Sequence, residues 1–350
     1  MKREMITFHY DNREKHNILK LILFGLVFLL LLTIFSLTLN PVKWFEDKRI
    51  QNRNARLTQL REQAPDTIEI MNMGDSLSQS GISPMEMWRQ RGYTAFNIGA
   101  DGIRMAEMYY GIKEACRKQS PKYLLIEGLA LFRYSKNQDK QMLISQPLYY
   151  TFDFLKYHSL WKSFVEGPGV RIYHKGYLIN RIEDAYTGDL NYLDGEVHDD
   201  WATEVPKDNQ KWFEKIRKLC DEQDIRIILY AMPSPKNYTW ERVNGLQAFA
   251  DEEGIEFIDL NSRYDEVGID WSLDTGDRGD HLNLNGATKV AEFFGDRLSE
   301  YGNLTDHRQD PAYKSWEDEL VEYDKLVDEM EGISFYNVQR KRDEERRKGK

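Results

Sequence analysis

Seven of the eight residues from Ile225 to Met232 are apolar, and Pro233 and Pro235 end the run. A strand with one wet face alternates, so a continuous apolar run of this length reads as a strand covered on both sides. Four further strand-like runs, Ile68–Met73, Tyr93–Ile98, Tyr123–Leu131 and Ile255–Leu260, are interleaved with helical patterns at Pro84–Arg91, Ile103–Lys118, Asn209–Glu222 and Trp240–Glu253. A last helix is expected from Ala287 to about Tyr301. Such alternation predicts an α/β three-layer sandwich: a five-stranded parallel sheet with helices on both faces and ligands at the carboxyl ends of its strands.

Two of those ends carry chemistry. The first strand stops in Gly74-Asp75-Ser76-Leu77, which exposes a hydroxyl on a glycine turn. Some 200 residues later comes Asp277-Arg278-Gly279-Asp280-His281-Leu282-Asn283. A free serine hydroxyl is a poor nucleophile and needs an adjacent base. His281 can be that base, because imidazole titrates near neutrality. An aspartate should orient the ring. Asp277 and Asp280 both compete for this role: Gly279 permits a turn that folds Asp277 back, whereas Asp280 is adjacent in sequence.

Gly74-Asp75-Ser76-Leu77 resembles the first block of the SGNH (GDSL) hydrolase superfamily, and Asp280-His281-Leu282-Asn283 with Gly286-Ala287 resembles its last block, as found in membrane-anchored bacterial envelope acyltransferases and esterases. The resemblance covers about residues 66–301 and implies an SGNH, flavodoxin-like fold. Asn97-Ile98-Gly99 is similar to the second block, which implies the Gly99 N–H, beside that of Ser76, as an oxyanion donor. The family's third block normally supplies an asparagine; Ile126-Glu127-Gly128-Leu129-Ala130 has none, and Glu127 there either lines the site or is a structural strand-end carboxylate. Asn283 either contacts the loop or substrate, or caps the final helix with Asn285 and Gly286.

Leu21–Leu39 is a run of 19 residues without charge, preceded by Lys2, Arg3, Arg13, Lys15 and Lys20. That is close to the ~20 residues needed to cross a bilayer, and it lacks a signal-peptide cleavage pattern. The expected organisation is a cytoplasmic tail (1–20), a transmembrane helix (21–39), a stalk (40–65), the hydrolase-like domain outside the cytoplasm (66–301) and a charged helical extension (302–350). Within the domain, 135–205 breaks the rhythm as an aromatic insertion (Tyr149, Tyr150, Phe152, Phe154, Tyr157, Trp161, Phe164, Tyr173, Tyr177), read either as a subsidiary core or as a wall of the substrate groove.

Cys116 and Cys220 lie in helical patterns and read as buried thiols, with a disulfide as the alternative. With no CxxC or His/Cys cluster, no metal and no cofactor is expected. The acidic balance, 58 Asp and Glu against 48 Lys and Arg, argues against a nucleic-acid partner. The basic end, Arg340–Lys350, reads as a solvated tail, with attraction to anionic polymer or lipid as the alternative.

Two functions compete. One is an extracytoplasmic serine esterase or O-acyltransferase whose partner is an acylated envelope polysaccharide, exopolysaccharide or teichoic acid, with room for a membrane-bound acyl-transfer partner. The other is a non-catalytic SGNH-fold glycan-binding or scaffold protein of an envelope assembly complex.

Overall fold

The computed structural model describes residues 12–38, 54–157, 171–190 and 201–331. Trp161, Phe164, Gly167-Pro168-Gly169, most of the expected stalk and the basic tail lie outside the described residues.

Five parallel strands form the centre: β1 (Ile70–Met73), β2 (Ala95–Asn97), β3 (Tyr123–Glu127), β6 (Arg226–Ala231) and β7 (Glu256–Asp259). Their order is β2-β1-β3-β6-β7. The sequence reverses direction across β1 and β3, which puts a topological switch point at the end of β1, where open α/β sheets bind ligands. Ile227 to Ala231 are buried, as a strand covered on both faces requires.

One face carries α5 (Met105–Ala115), α9 (Lys207–Asp221) and α10 (Trp240–Glu253), stitched together by Tyr109 against Trp212 and Phe213 against Phe249. The other carries α4 (Pro84–Arg91) and α12 (Leu284–Ser299), with Phe294 edge-on to Tyr230 of β6. Tyr123–Leu131 is not one long strand: it ends at Glu127, and Leu129–Phe132 turns as the short helix α6. A Cβ on Gly128 would lie 2.4 Å from a Leu246 methyl of α10, so α10 packs closely over this turn.

Both flanks expected to lie outside the domain are packed into it. In the expected stalk, α2 (Ala55–Glu62) buries Leu57 and Leu60, and Arg56 donates to the Ile98 carbonyl at 2.7 Å. In the expected extension, α13 (Lys314–Glu329) buries Trp316 against Trp88 of α4, and the Tyr323 and Ser83 hydroxyls bond at 2.9 Å. Large apolar side chains on one stripe of a helix need a partner face.

The insertion begins as α7 (Lys136–Thr151) and α8 (Asp153–Tyr157), then forms an antiparallel hairpin of β4 (Tyr173–His174) and β5 (Tyr177–Leu178). Its turn, Lys175-Gly176, has positive φ at both residues and accepts the Asn97 N–H, which covers the outer edge of β2. Tyr157, Tyr173 and Tyr177 are buried, so much of the aromatic content serves the interior. Cys220 is buried, Cys116 half-buried, and both are free thiols.

The amino-terminal helix α1 (Asn12–Thr38) is long and apolar enough to span a membrane, and its side chains are largely exposed. At about 1.5 Å per residue its 27 residues reach some 40 Å. Its far end touches the domain: Phe35 packs on Phe154 of α8 with ring centroids 5.5 Å apart, and the Phe154 N–H donates to Ser36.

Candidate active site

The turn after β1 is set by close approach. A Cβ on Gly74 would sit 2.4 Å from that of Glu127, so only glycine lets β1 end against β3 here. Asp75 is fully buried and caps α3 (Ser76–Gly81): its Oδ1 accepts the Leu77 N–H at 3.0 Å and its Oδ2 the Arg133 guanidinium at 3.1 Å. Ser76 is the first residue of that helix, so its N–H has no intrahelical acceptor.

Across the mouth of the sheet, Thr275 and Leu282 pair as an antiparallel bridge that closes the loop between them. Within it Arg278 and Gly279 both take left-handed conformations, φ 63 and 82. This double turn folds Asp277 back over the histidine. One carboxylate oxygen accepts the His281 backbone N–H at 2.6 Å and the other meets Nδ1 at 2.7 Å. On the opposite side of the ring, Nε2 lies 2.8 Å from Ser76 Oγ. Asp280 is farther, 3.5 Å from Nδ1, and its carboxylate is held by the Asn237 amide at 2.6 Å.

With Asp277 accepting from Nδ1–H, the neutral ring presents Nε2 as an acceptor to the serine hydroxyl. Burial pushes the His281 pKa down, but the Asp277 hydrogen bond and charge, helped by Asp280 and Asp75, outweigh it and leave it above the ordinary value. Asp277, Asp280 and His281 also form the one group among the described residues whose ligand atoms, all within 4.8 Å, could share a cation. A cation there would have to take Nδ1 from Asp277.

The remaining expected site residues lie in supporting positions. The Gly99 N–H donates to Asn97 Oδ1 at 3.0 Å, and the Asn97 amide donates to the Ser78 carbonyl at 2.6 Å. Together they brace α3, and the Gly99 N–H has Asn97 as its acceptor. Asn283 caps α12 through Gly286 and gives its amide to the carbonyls of Ile182 and Leu273, the capping alternative. Glu127 is fully buried beneath the Gly74 turn, accepting from Leu129 N–H and the Tyr238 hydroxyl. Burial first, and then the Asp75 charge, hold its pKa well above the carboxylate range.

Several neighbours of the loop were not singled out in the sequence. Ser234 donates to the Gly279 and Asp280 carbonyls, Lys236 to the Asp277 carbonyl and Asn237 to the Asp280 carboxylate. They follow the Pro233 that ends β6, so the rule that ligand-binding residues gather at carboxyl strand ends would have found them. Arg133 carried no such signal.

No family model matches the sequence, and no curated protein matches it. Among solved structures the chain is similar to one described as an acylhydrolase from Bacteroides fragilis, at 14% identity over 73% of this chain and 99% of that one, with a TM-score of 0.36. It is also similar to a GDSL-like lipase from Bacteroides thetaiotaomicron, at 12% identity over 73% of this chain and 100% of that one, with a TM-score of 0.36.

Proposed function

We propose that this chain is an SGNH-type serine esterase or O-acyltransferase, held to the plasma membrane by α1, whose domain works outside the cytoplasm on acyl esters of an envelope glycan, exopolysaccharide or teichoic acid. The observation that carries the reading is the unbroken relay from Ser76 Oγ through both nitrogens of His281 to Asp277, at 2.8 and 2.7 Å. In this scheme Ser76 Oγ attacks the acyl carbonyl while Nε2 takes its proton. Asp277 steadies the imidazolium that forms. The same nitrogen then protonates the departing alcohol, which leaves an acyl-serine. A second alcohol or water, deprotonated by His281, attacks that ester and frees Ser76. Hydrolysis and transfer differ only in this acceptor. The Ser76 N–H supplies one donor to the developing oxyanion.

One observation favours a non-catalytic, glycan-binding reading: the Gly99 N–H already has an acceptor in Asn97. A fluorophosphonate separates the two. Labelling of the wild-type chain that vanishes in Ser76→Ala, with an unchanged melting temperature, is the expected result. An unlabelled wild type favours the binding protein, and a labelled Ser76→Ala moves the nucleophile elsewhere. For the topology, a reporter fused after residue 350 should be active only outside the cytoplasm, and cytoplasmic activity would reverse the orientation.

A further inference from the structure

Among the described residues, Leu143, Ile144 and Leu148 are the only exposed large apolar side chains outside α1 that share one element, the helix α7. Ile144 is 71% exposed and Leu143 53%. The inner side of α7 is already covered: Gln146 is buried, and Tyr150 stacks on Tyr110 of α5 with ring centroids 5.9 Å apart. At about 3.6 residues per turn, Ile144 and Leu148 stand on the side away from Gln146 and Tyr150. Polarity on that outward side is divided along the helix and not around it. The amino half shows Lys136 and Lys140, whereas the carboxyl half, residues 143–151, carries no charge. The one carboxylate of α7, Asp139, is taken up by Arg104 and the Ser135 N–H.

The apolar half is also the half next to α1. The Leu148 carbonyl accepts the Phe152 N–H at 2.8 Å, and Phe154, two residues on, packs on Phe35 and bonds Ser36. Ile34, Phe35 and Leu37 around that contact are themselves exposed. Exposed apolar surface thus continues from the last turns of α1, past α8, to α7. A hydrocarbon core takes ~20 residues of helix, so a bilayer spanned by α1 ends near the close of the Leu21–Leu39 run. The Phe35–Phe154 contact lies there, at the level of the leaflet surface. A second copy of the chain fits this face poorly. Three side chains fall far short of the ~800 Å² that each partner of a stable dimer buries, and a net charge of −10 makes like chains repel.

We propose that the carboxyl half of α7 docks on the membrane leaflet facing the domain, with Leu143, Ile144 and Leu148 at the acyl-chain boundary and Lys136 and Lys140 toward lipid phosphates. The docking rests on the reading of α1 as a membrane anchor, and it adds a position for the site. Arg133, just before α7, holds Asp75 beside Ser76. A docked α7 therefore keeps the nucleophile near the leaflet and not at the end of a free tether.

The test is depth. The full-length chain is placed in phosphatidylglycerol nanodiscs and spin-labelled through Ile144→Cys or Leu148→Cys, and collisions with oxygen are compared with collisions with a nickel chelate. The unsubstituted chain supplies the background from Cys116 and Cys220. Val321→Cys, exposed on α13, is the aqueous reference, and Leu29→Cys in α1 the lipid reference. The oxygen-to-nickel ratio at Ile144→Cys and Leu148→Cys should exceed that at Val321→Cys about fivefold or more, as for a helix face ~5–10 Å into the headgroup boundary. Adding Leu148→Glu to Ile144→Cys should return the ratio most of the way to the aqueous value with the melting temperature unchanged. Ratios equal to that of Val321→Cys would overturn the docking. The anchor then stands if Leu29→Cys still reads as lipid, and falls with it if Leu29→Cys reads as water. Labels shielded from both reagents and broadened by one another would put a second copy on this face instead. A ratio indifferent to Leu148→Glu would also sink the proposal.

Discussion

The two halves of the candidate site are built by different physics. The Ser76 half is held by the sheet: Gly74 is wedged against β3, Asp75 is fully buried, and Asn72 and Asn97 both donate to the Ser78 carbonyl. The His281 half is a surface loop held by a left-handed double turn and by polar bonds from the segment after β6. A site divided in this way keeps its nucleophile fixed by the core and leaves the base on the element that opens most readily. Apart from loss of the Ser76 hydroxyl itself, damage to the first half should therefore appear mainly in stability, and damage to the second mainly in rate.

The largest effect expected tests the second half. Asp277→Asn should lower turnover of an activated ester about 10⁴-fold, by analogy with the serine protease acid, because the ring loses its tautomer and orientation. Asp280→Asn should cost about tenfold or less, since that carboxylate is half-exposed and more distant from the ring. Catalysis needs the neutral imidazole, so the acid limb of the wild-type pH–rate profile should lie above the ordinary histidine value of 6.5. In Asp277→Asn the residual activity should show that limb shifted down. The same shift gives stability that is complete below 6.5 and lost as pH rises through the folded-state value. A collapse with Asp280→Asn alone would reassign the orienting acid.

Glycine substitutions probe the comparison itself. Gly74→Ala forces a Cβ to within 2.4 Å of Glu127 in the packed core and should destabilise by about 1–3 kcal/mol. Gly279→Ala meets φ 82 and the Tyr186 ring, a strain of about 1–2 kcal/mol that a surface loop can relieve by moving. Its melting temperature should change less than that of Gly74→Ala, while its rate falls by more than tenfold as Asp277 swings off Nδ1. If Gly279→Ala lost stability and kept its rate, the loop would not be the adjustable half.

This division also explains what the sequence disclosed. Pro84–Arg91 and Trp240–Glu253 coincide with their helices to the residue, and all five strands lie within their expected runs, because local periodicity and caps specify them. The third strand was read too long, since the apolar run continues through Leu129–Leu131 while the backbone turns there into a short helix. The second-block residues Asn97 and Gly99 were visible as a motif, but that they bond to each other is a fact of tertiary geometry. Choosing between Asp277 and Asp280 turned on whether a non-glycine residue, Arg278, would also adopt positive φ, which composition alone leaves open. Arg133 and Lys156 had no sequence signal at all: charged residues on helical stretches read as solvated until their neighbours bury them.

The smallest effect concerns the acid beneath the nucleophile turn. Glu127 has its pKa raised in the folded state, by burial and then by the Asp75 charge, so the native protein holds that proton longer than the unfolded chain does. Stability should therefore be intact below the ordinary value of 4.5 and decline as pH rises from there toward the folded-state value. Glutamine keeps the size of the neutral acid, one acceptor for Tyr238 or Leu129, and never ionises. Glu127→Gln should match the wild type near pH 4 and gain on it progressively toward pH 8. Each kcal/mol of relief is worth about 2–4 °C for a domain of this size. Melting curves across that range decide the matter. A constant offset at every pH would mean that Glu127 is ionised in the native state. The rigidity of the Ser76 half would then rest on a buried carboxylate held by the Tyr238 hydroxyl and Leu129 N–H and not on a neutral acid.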